Sequence, residues 1–308
     1  MNTSNHDLVA IDVAKDTHCV LSNGRLFDIS NNARGLGVLQ KHLGKLNSPW
    51  VFCEASGGYE RALVNMLHQH GILVTVINPA LVRHFARSEG VKAKNDPIDT
   101  RMIERFARQK QLEPTPPPQR PELTAMMDRR THLSDELARE KTRLQNSPSL
   151  IHSSIRRSIR FIEHELIRIE QAIKRLVKLD ENAHRAAELM QQTVGVGPVT
   201  AWAILAYLSE ITQLSRNRIV AMVGLAPFDK DSGRQHGPRH ICGGRHKVRN
   251  ILYMAAMSAC LHNPIIKDYA QRSKARGKEA KWIHTAVMRK LLIHLQRVLK
   301  NNQISLVS

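Results

Sequence analysis

The chain has 308 residues, 42% of them hydrophobic, and carries a formal net charge of +19 with an isoelectric point of about 10.3. This length and composition exclude a disordered or fibrous chain and allow two or three domains with cores of their own. The four cysteines include no CxxC pair. With no signal peptide and no apolar run of about 18 residues, we expect a reducing, cytoplasmic location and no membrane span.

The positive charge is unevenly placed along the chain. Residues 1–121 hold 15 Lys or Arg against 11 acids, residues 122–190 hold 13 against 11, and residues 214–300 hold 18 against 4. A basic segment beside two nearly neutral ones is typical of a nucleic-acid contact surface, because each neutralised phosphate releases counterions. Aromatic residues make up only 4% of the chain, which disfavours recognition by stacking on bases and favours recognition of the backbone.

The first elements predict an α/β domain. Three short β-rich runs, the last two joined across Asn23-Gly24, predict a meander. Helices at about 33–46 and 58–70 then alternate with two further strands, which indicates a mixed sheet. The five predicted strands lie at 8–13, 18–21, 26–29, 50–53 and 73–77. A meander followed by βα units is the order of the ribonuclease H-like fold, in which acids at strand ends gather metal ions.

Four acids lie at the ends of these elements: Asp12, Glu54, Asp96 and Asp99. The last two are three residues apart where a helix starts at Pro97, so they share one helix face. Carboxylates from separate elements supply the hard oxygen ligands that Mg²⁺ prefers and leave positions open for phosphate. Any one of them could instead be a plain surface charge. Asp16 and Glu60 are reserve ligands.

A Pro-rich segment at 113–121 predicts an extended, stiff spacer after an N-terminal domain at 1–112. Helix follows from about 122 to 145, and a second helix after 148 carries a heptad seam of Ile155, Ile159, Ile162, Leu166, Ile169, Ile173 and Leu176. This seam predicts a coiled-coil arm at 122–190. Its partner is either the 122–145 helix or a helix of another chain, and the period fits both.

The last predicted domain, 191–308, is basic and mainly helical, with helices at about 200–207, 215–223, 247–262 and 279–300. Its start, Gly195-Val196-Gly197, matches a helix-hairpin-helix, whose glycines offer amides to a nucleic-acid backbone. A plain turn between two helices is the alternative. We predict that Gly195 and Gly197 contact nucleic acid.

The stretch 224–249 is where the chemistry is expected. Its five glycines let amides approach a phosphate, its cations neutralise it, and the turn Asp231-Ser232-Gly233 presents a serine as a nucleophile. The alternative is a basic loop that only binds DNA phosphates. The predicted nucleic-acid contacts here are Arg234, Arg239, Gly243, Gly244, Arg245, Lys247 and Arg249. A zinc site on His236, His240, Cys242 and His246 is disfavoured, because the spacing matches no common zinc module.

Several segments, spread in order over nearly the whole chain, resemble the DEDD-type insertion-sequence transposases of the IS110 family and its IS1111 subgroup, which include the Piv- and MooV-like DNA invertases. The matching segments are 11–15, 54–60, 94–99, 195–198 and 224–249. One departure is Ser56, where the family motif more often has Thr; the hydroxyl is kept.

The resemblance implies a ribonuclease H/RuvC-like N-terminal domain with Asp12, Glu54, Asp96 and Asp99 as a Mg²⁺-binding tetrad, a coiled-coil arm, and a C-terminal transposase domain with Ser232 as the nucleophile. It also implies a composite site formed by domains of different subunits, and a non-coding bridge RNA that pairs with donor and target DNA. A homo-oligomer, dimer or tetramer, is expected because a recombinase holds two DNA partners.

Two other functions stay open at this stage. A RuvC-like structure-specific nuclease would hydrolyse DNA with metal-activated water and would not need Ser232. A non-catalytic nucleic-acid-binding assembly protein would keep the basic surface and use the tetrad for no reaction.

Overall fold

The computed structural model describes residues 5–90, 95–228, 240–241 and 243–307. The chain divides into two compact units, Met1–Pro117 and Pro118–Ser308. The boundary between them falls inside the Pro-rich segment 113–121. Within the described ranges, no helix is both long and apolar enough to cross a bilayer.

A five-stranded mixed sheet forms the centre of the N-terminal unit. In chain order its strands are β1 (Asp7–Val13), β2 (Thr17–Ser22), β3 (Arg25–Ser30), β4 (Pro49–Glu54) and β5 (Leu73–Ile77). Their order across the sheet is β3-β2-β1-β4-β5. The first three strands form the predicted antiparallel meander, whereas β1, β4 and β5 run parallel. Asn23 and Gly24 both have positive φ, which is what a tight turn between β2 and β3 requires.

Helices cover both faces of this sheet: α1 (Ala33–Leu43), α2 (Arg61–Gln69), α3 (Pro79–Ser88) and α4 (Asp96–Gln109). Because successive strand residues point to opposite faces, Val9 and Ile11 pack with α1 and α2, whereas Leu8 and Ala10 pack with α3 and α4. The sheet therefore has two separate cores. The mixed sheet is as predicted, but α3 was missed, although its capping residue Asn78 and the following Pro79 are a start signal.

The start of the Pro-rich segment is attached to the sheet. The Thr115 amide donates to the Val74 carbonyl at 2.7 Å, and the Thr75 hydroxyl donates to the Glu113 carbonyl at 3.0 Å. The extended backbone that the prolines favour thus lies along the edge strand β5, where it pairs polar groups that a bare edge would expose.

The C-terminal unit is mainly helical. Its helices are α5 (Pro121–Asn146), α6 (His152–Leu179), α7 (Glu181–Gln191), α8 (Pro198–Tyr207), α9 (Arg216–Val223), α10 (His246–His262), α11 (Pro264–Ala275) and α12 (Ala280–Asn301). Two short strands, β6 (Pro227–Phe228) and β7 (His240–Ile241), form an antiparallel ribbon. One hydrophobic core joins the first part of α5 and the end of α6 to α8, α10 and α12.

The heptad seam of α6 packs within its own chain. Ile155, Ile159 and Ile173 are buried, and α6 lies against α5. Ion pairs cross the same hairpin, from Arg130 to Glu170 at 2.8 Å and from Lys141 to Glu163 at 2.9 Å. Of the two predicted partners, the 122–145 helix is therefore the one that covers the seam in this structure.

Candidate functional site

Asp12 and Glu54 are neighbours on adjacent parallel strands. The last paired residues of β1 and β4 are Ile11 and Cys53. Asp12 and Glu54 are the next residues on each strand, so their backbones lie about 5 Å apart. Ile11 and Cys53 belong to the core under α1 and α2, so strand alternation turns Asp12 and Glu54 toward the face covered by α3 and α4. Both acids are half-buried.

The first turn of α4 carries the other two acids on that face. The Asn95 side chain caps the helix by accepting from the Ile98 amide at 3.0 Å, and Asp96 and Asp99 lie in the first turn. Asp99 is half-buried and Asp96 is exposed. Negative charge at this position is favourable, because it faces the positive end of the helix dipole.

A cysteine and a threonine connect this turn with Asp12. Thr100 is fully buried, donates to the Asp96 carbonyl at 2.6 Å and is hydrogen-bonded to Cys19, which lies opposite Asp12 in the β1/β2 pairing. Burial raises the pKa of the Cys19 thiol, and the nearby carboxylates of Asp28 and Asp12 raise it further. The structure therefore places all four predicted acids at one face of the sheet.

The four acids do not form a closed metal centre in this structure. Among the residues that the structure describes, no three His, Cys, Asp or Glu side chains are grouped closely enough to hold an ion. The donor set is all oxygen and suits a hard divalent cation.

Glu60, a reserve ligand in the sequence analysis, organises the loop that follows Glu54. One carboxylate oxygen of Glu60 accepts from the Ser56 amide at 3.0 Å, the Ser56 hydroxyl at 2.8 Å and the Gly58 amide at 2.9 Å. Burial alone would raise the pKa of Glu60, but these hydrogen bonds outweigh it and hold the pKa below its usual value. The Ser56 hydroxyl thus helps to hold the conformation of the loop after Glu54.

The predicted nucleophile Ser232 lies outside the described residues, as do Arg234, Arg239, His236 and Cys242. The ends of their loop are described. Pro227 pairs with Ile241, and Phe228 pairs with His240, so the two strands that flank residues 229–239 form one antiparallel ribbon.

The backbone crosses itself closely at the base of this loop. A Cβ on Gly244 would lie 2.3 Å from the Gly224 nitrogen, and a Cβ on Gly224 would lie 2.3 Å from the Gly243 carbonyl oxygen. The Arg245 amide donates to the Met222 carbonyl at 2.8 Å beside the crossing. Close packing of two chain segments therefore accounts for Gly224 and Gly244, whereas a Cβ on Gly243 would meet nothing within 4 Å.

The Arg245 guanidinium bonds within the fold. It donates to the Tyr207 carbonyl at 2.6 Å and forms an ion pair with Glu210. Burial alone would raise the pKa of the Glu210 carboxyl. The hydrogen bond and the positive charge of Arg245, together with other hydrogen bonds, outweigh burial and hold this pKa below its usual value. Arg249 likewise donates to the carbonyls of Val223 and Gly243.

Lys247 joins this loop base to the helical arm. Its ammonium pairs with the buried carboxylate of Asp128 on α5 and lies 5.1 Å from the centre of the Tyr207 ring. The Tyr207 hydroxyl donates to the same Asp128 carboxylate at 2.7 Å. The role of Arg245, Lys247 and Arg249 in binding nucleic acid stays a prediction; what the structure shows is that they fix the loop's ends.

The predicted hairpin between α7 and α8 is also held by packing. Gly195 has φ of +101°, and a Cβ there would lie 2.6 Å from the Ala259 Cβ and 2.7 Å from the Ala259 Cα. Gly195 thus lets the turn approach α10. Gly197 caps α8, and a Cβ on it would meet nothing within 4 Å, so of the two glycines it is the more open toward a ligand.

Two family models match this chain. Residues 9–150 match a transposase model of the DEDD, IS110 type, and residues 187–271 match the model of the transposase IS116/IS110/IS902 family. The first covers the sheet with all four acids and all of α5. The second runs from α7 into α11 and contains Ser232 and the loop base.

Similar proteins agree with these matches. The chain is 25% identical to the pilin gene-inverting protein of Moraxella lacunata over 96% of both chains. It is 26% identical to a 44.8 kDa protein of insertion element IS116 from Streptomyces clavuligerus, over 38% of this chain and 30% of that one. It is 25% identical to a 43.6 kDa protein of insertion element IS110 from Streptomyces coelicolor, over 42% of this chain and 31% of that one.

Proposed function

This chain belongs to the IS110 family of transposases, and from that premise we propose that Ser232 and a Mg²⁺ site on Asp12, Glu54, Asp96 and Asp99 cut and rejoin DNA. The enzyme class, a DNA transposase or recombinase, follows from the family and from the similar proteins. The observation that carries the proposed chemistry is the position of Asp12 and Glu54 side by side at the ends of β1 and β4, on the face that also receives the first turn of α4.

The sheet supports a ribonuclease H/RuvC-like fold for the N-terminal unit. An antiparallel meander followed by two parallel strands, in the order β3-β2-β1-β4-β5, is the arrangement that this fold uses. In such a fold, the acids at the ends of β1 and β4 would lie where metal ions are gathered.

The four carboxylates would hold Mg²⁺ through oxygen ligands, and a bound ion would polarise the attacked phosphate. Around the ion, the protein supplies rigidity. The hydrogen bond between Cys19 and Thr100 fixes the start of α4 against β2, next to Asp12, and Glu60 fixes the loop after Glu54. These contacts would hold the backbone on both sides of the four acids in place around a bound cation.

Ser232 would attack a phosphodiester, so that a serine–phosphate bond forms while a hydroxyl leaves on the other DNA end. The linked phosphate keeps a bond that a second DNA hydroxyl can break during rejoining. Neighbouring cations such as Arg234 would stabilise the charge that develops on phosphate oxygens. The paired cations at the loop base would hold the loop in place while it reacts.

The proposed partners are donor and target DNA, a non-coding bridge RNA that pairs with both, and further copies of this chain in a dimer or tetramer. The excess of 18 Lys or Arg over 4 acids in residues 214–300 supports a polyanionic partner. One similar protein is named for inverting a pilin gene. Reactions of this chain should therefore be tested for DNA inversion as well as for excision and insertion.

The test is a denaturing-gel assay for a covalent protein–DNA adduct. Purified protein is incubated with Mg²⁺, labelled donor and target DNA, and RNA from the non-coding flank of the element. Ser232→Ala and Asp12→Asn are compared with wild type and with Asp135→Asn, which changes an exposed acid on α5 that is not a predicted ligand. We expect the adduct in wild type and Asp135→Asn only.

Other outcomes would replace this mechanism. Cleaved DNA without an adduct, unaffected by Ser232→Ala, would indicate a metal-dependent nuclease that uses water. Binding with neither cleavage nor adduct at any Mg²⁺ concentration would indicate a nucleic-acid-binding assembly protein.

A further inference from the structure

The turn between α11 and α12 carries cations that the fold does not use. Residues 272–281 contain five Lys or Arg and one acid, Glu279. Arg272 pairs with Asp268 at 2.8 Å, but within the described part of the chain Lys274, Arg276 and Lys281 make no ion pair, and all three are exposed. They differ in this from Arg245 and Lys247, which are paired at the loop base.

Trp282 lies among these cations and is exposed. Its relative exposure is 49%, against 0% for Trp50 and 6% for Trp202. The Lys278 ammonium lies 5.2 Å from the centre of the Trp282 ring. An indole is a large apolar group that a fold normally buries, so its exposure beside unpaired cations suggests a partner that is both planar and anionic.

We propose that this basic turn, made of Lys274, Arg276, Lys278, Lys281 and Trp282, binds single-stranded nucleic acid. A base stacks on Trp282 while the cations contact the phosphates next to it. Stacking on an aromatic side chain is available only to a base that is not already stacked inside a duplex. The chemistry thus favours a single strand over a double helix.

An anionic membrane would also attract cations and an indole, but α12 is not free to lie on one. Its apolar residues, among them Ile283, Val287 and Leu291, are buried in the core of the C-terminal unit. A helix that binds a bilayer in its interface needs its apolar face free. The exposed part is the turn, where the charge is concentrated.

This binding site goes beyond the proposed reaction, which needs Ser232 and the four acids. It is tested through binding alone, so it can fail while the adduct assay succeeds, and the reverse. DNA and RNA strands share the chemistry described here, and separate arms of the experiment distinguish them.

The experiment follows the tryptophan fluorescence of the full-length protein during titration with unstructured deoxythymidine and uridine oligonucleotides. Since the other two tryptophans are buried, quenching by a strand reports on Trp282. We expect saturable quenching by single strands and little by a duplex of equal length. Tighter quenching by one of the two oligonucleotides identifies the preferred backbone.

The affinity of protein variants for a labelled single strand is then measured. Trp282→Ala is expected to weaken binding about 5- to 100-fold, Trp282→Phe much less, and Lys274→Ala with Arg276→Ala to weaken it and lower its salt dependence. Arg297→Ala, an exposed cation elsewhere on α12, is the control and should leave the affinity unchanged. Three results would overturn the proposal. They are no quenching by single strands, equal quenching by phosphatidylserine vesicles, and full affinity for the strand in Trp282→Ala.

Discussion

Gly224 and Gly244 cross at the base of the loop so closely that a Cβ on Gly244 would lie 2.3 Å from the Gly224 nitrogen and 2.6 Å from the Val223 carbonyl carbon. Both glycines have positive φ, of +75° and +68°. Any other residue at position 244 would therefore displace neighbouring backbone, and its own backbone would have to adopt a left-handed conformation. The crossing therefore holds the backbone at Gly224 against the backbone at Gly244.

Gly244→Ala is expected to destabilise the protein by about 3 kcal/mol, since the left-handed strain of about 1–2 kcal/mol adds to the steric overlap. Gly243→Ala is the matched control, with φ of +64° and open space around a Cβ. Gly243→Ala should therefore lose only the stability that the left-handed backbone conformation costs, about 1–2 kcal/mol. Thermal unfolding of the two variants measures the difference, and equal melting temperatures would show that the crossing is looser than described.

Local patterns in the sequence predicted much of the fold and could not predict how distant charges pair. The strands of the sheet and the Asn-Gly turn follow from β-rich runs and turn chemistry, which depend on near neighbours. Arg245 and Lys247 were predicted as phosphate contacts because the sequence shows only their charge. Their partners Glu210 and Asp128 lie 35 and 119 residues away.

For the candidate site, the sequence predicts the proximity of Asp12 and Glu54, because each lies at the end of a predicted strand, and the pairing of β1 and β4 places them side by side. That they hold a metal ion stays a prediction. The role of Glu60 was missed, since nothing in its spacing separates a metal ligand from a carboxylate that binds the amides of Ser56 and Gly58. The partner of the α6 seam likewise needed the structure, because a heptad period fits an intrachain and an interchain helix equally.

Asp128→Asn is expected to destabilise the C-terminal unit by about 1–3 kcal/mol. The buried carboxylate accepts from the Tyr207 hydroxyl and pairs with Lys247, so its neutralisation leaves the ammonium without a counter-charge. Asp135→Asn changes an exposed acid on the same helix and should have almost no effect. Urea unfolding checks both variants, and a stable Asp128→Asn protein would contradict the assigned pairing.

We also expect Asp128→Asn to slow formation of the protein–DNA adduct at saturating DNA while leaving DNA affinity nearly unchanged. Lys247 is the second residue of α10, close to the point where the loop returns, so we expect the loss of its partner to loosen that point. A fall in affinity with an unchanged rate would instead place Lys247 in direct contact with DNA.

Glu60→Gln should reveal a pH-dependent contribution to stability. The folded pKa of Glu60 is depressed, so its contribution is present above the unfolded value of about 4.3 and is lost as the pH falls through the lower folded value. At neutral pH we expect Gln to cost about 1–2 kcal/mol, because it accepts the three hydrogen bonds less strongly than a carboxylate. The difference from wild type should shrink below about pH 4.

Denaturant unfolding at several pH values measures this difference, with Glu104→Gln as a comparison on an acid that forms an i,i+4 pair with Arg108. Such a surface pair contributes about 0–1 kcal/mol, so the Glu104 variant should show a small effect throughout. A Glu60→Gln difference that stays constant from pH 7 to about pH 3 would mean that the hydrogen bonds depend on shape and not on charge.

Ile173→Ala separates the two sides of α6. Ile173 is fully buried in the core that joins the arm to the C-terminal helices, and its truncation should cost about 2–5 kcal/mol because a cavity remains. Ile167→Ala truncates the same side chain at a position that is 53% exposed and should cost well under about 1 kcal/mol. If Ile167→Ala proves as destabilising as Ile173→Ala, the outer face of α6 is covered in solution, and a concentration-dependent melting temperature of wild type would identify another copy of this chain as what covers it.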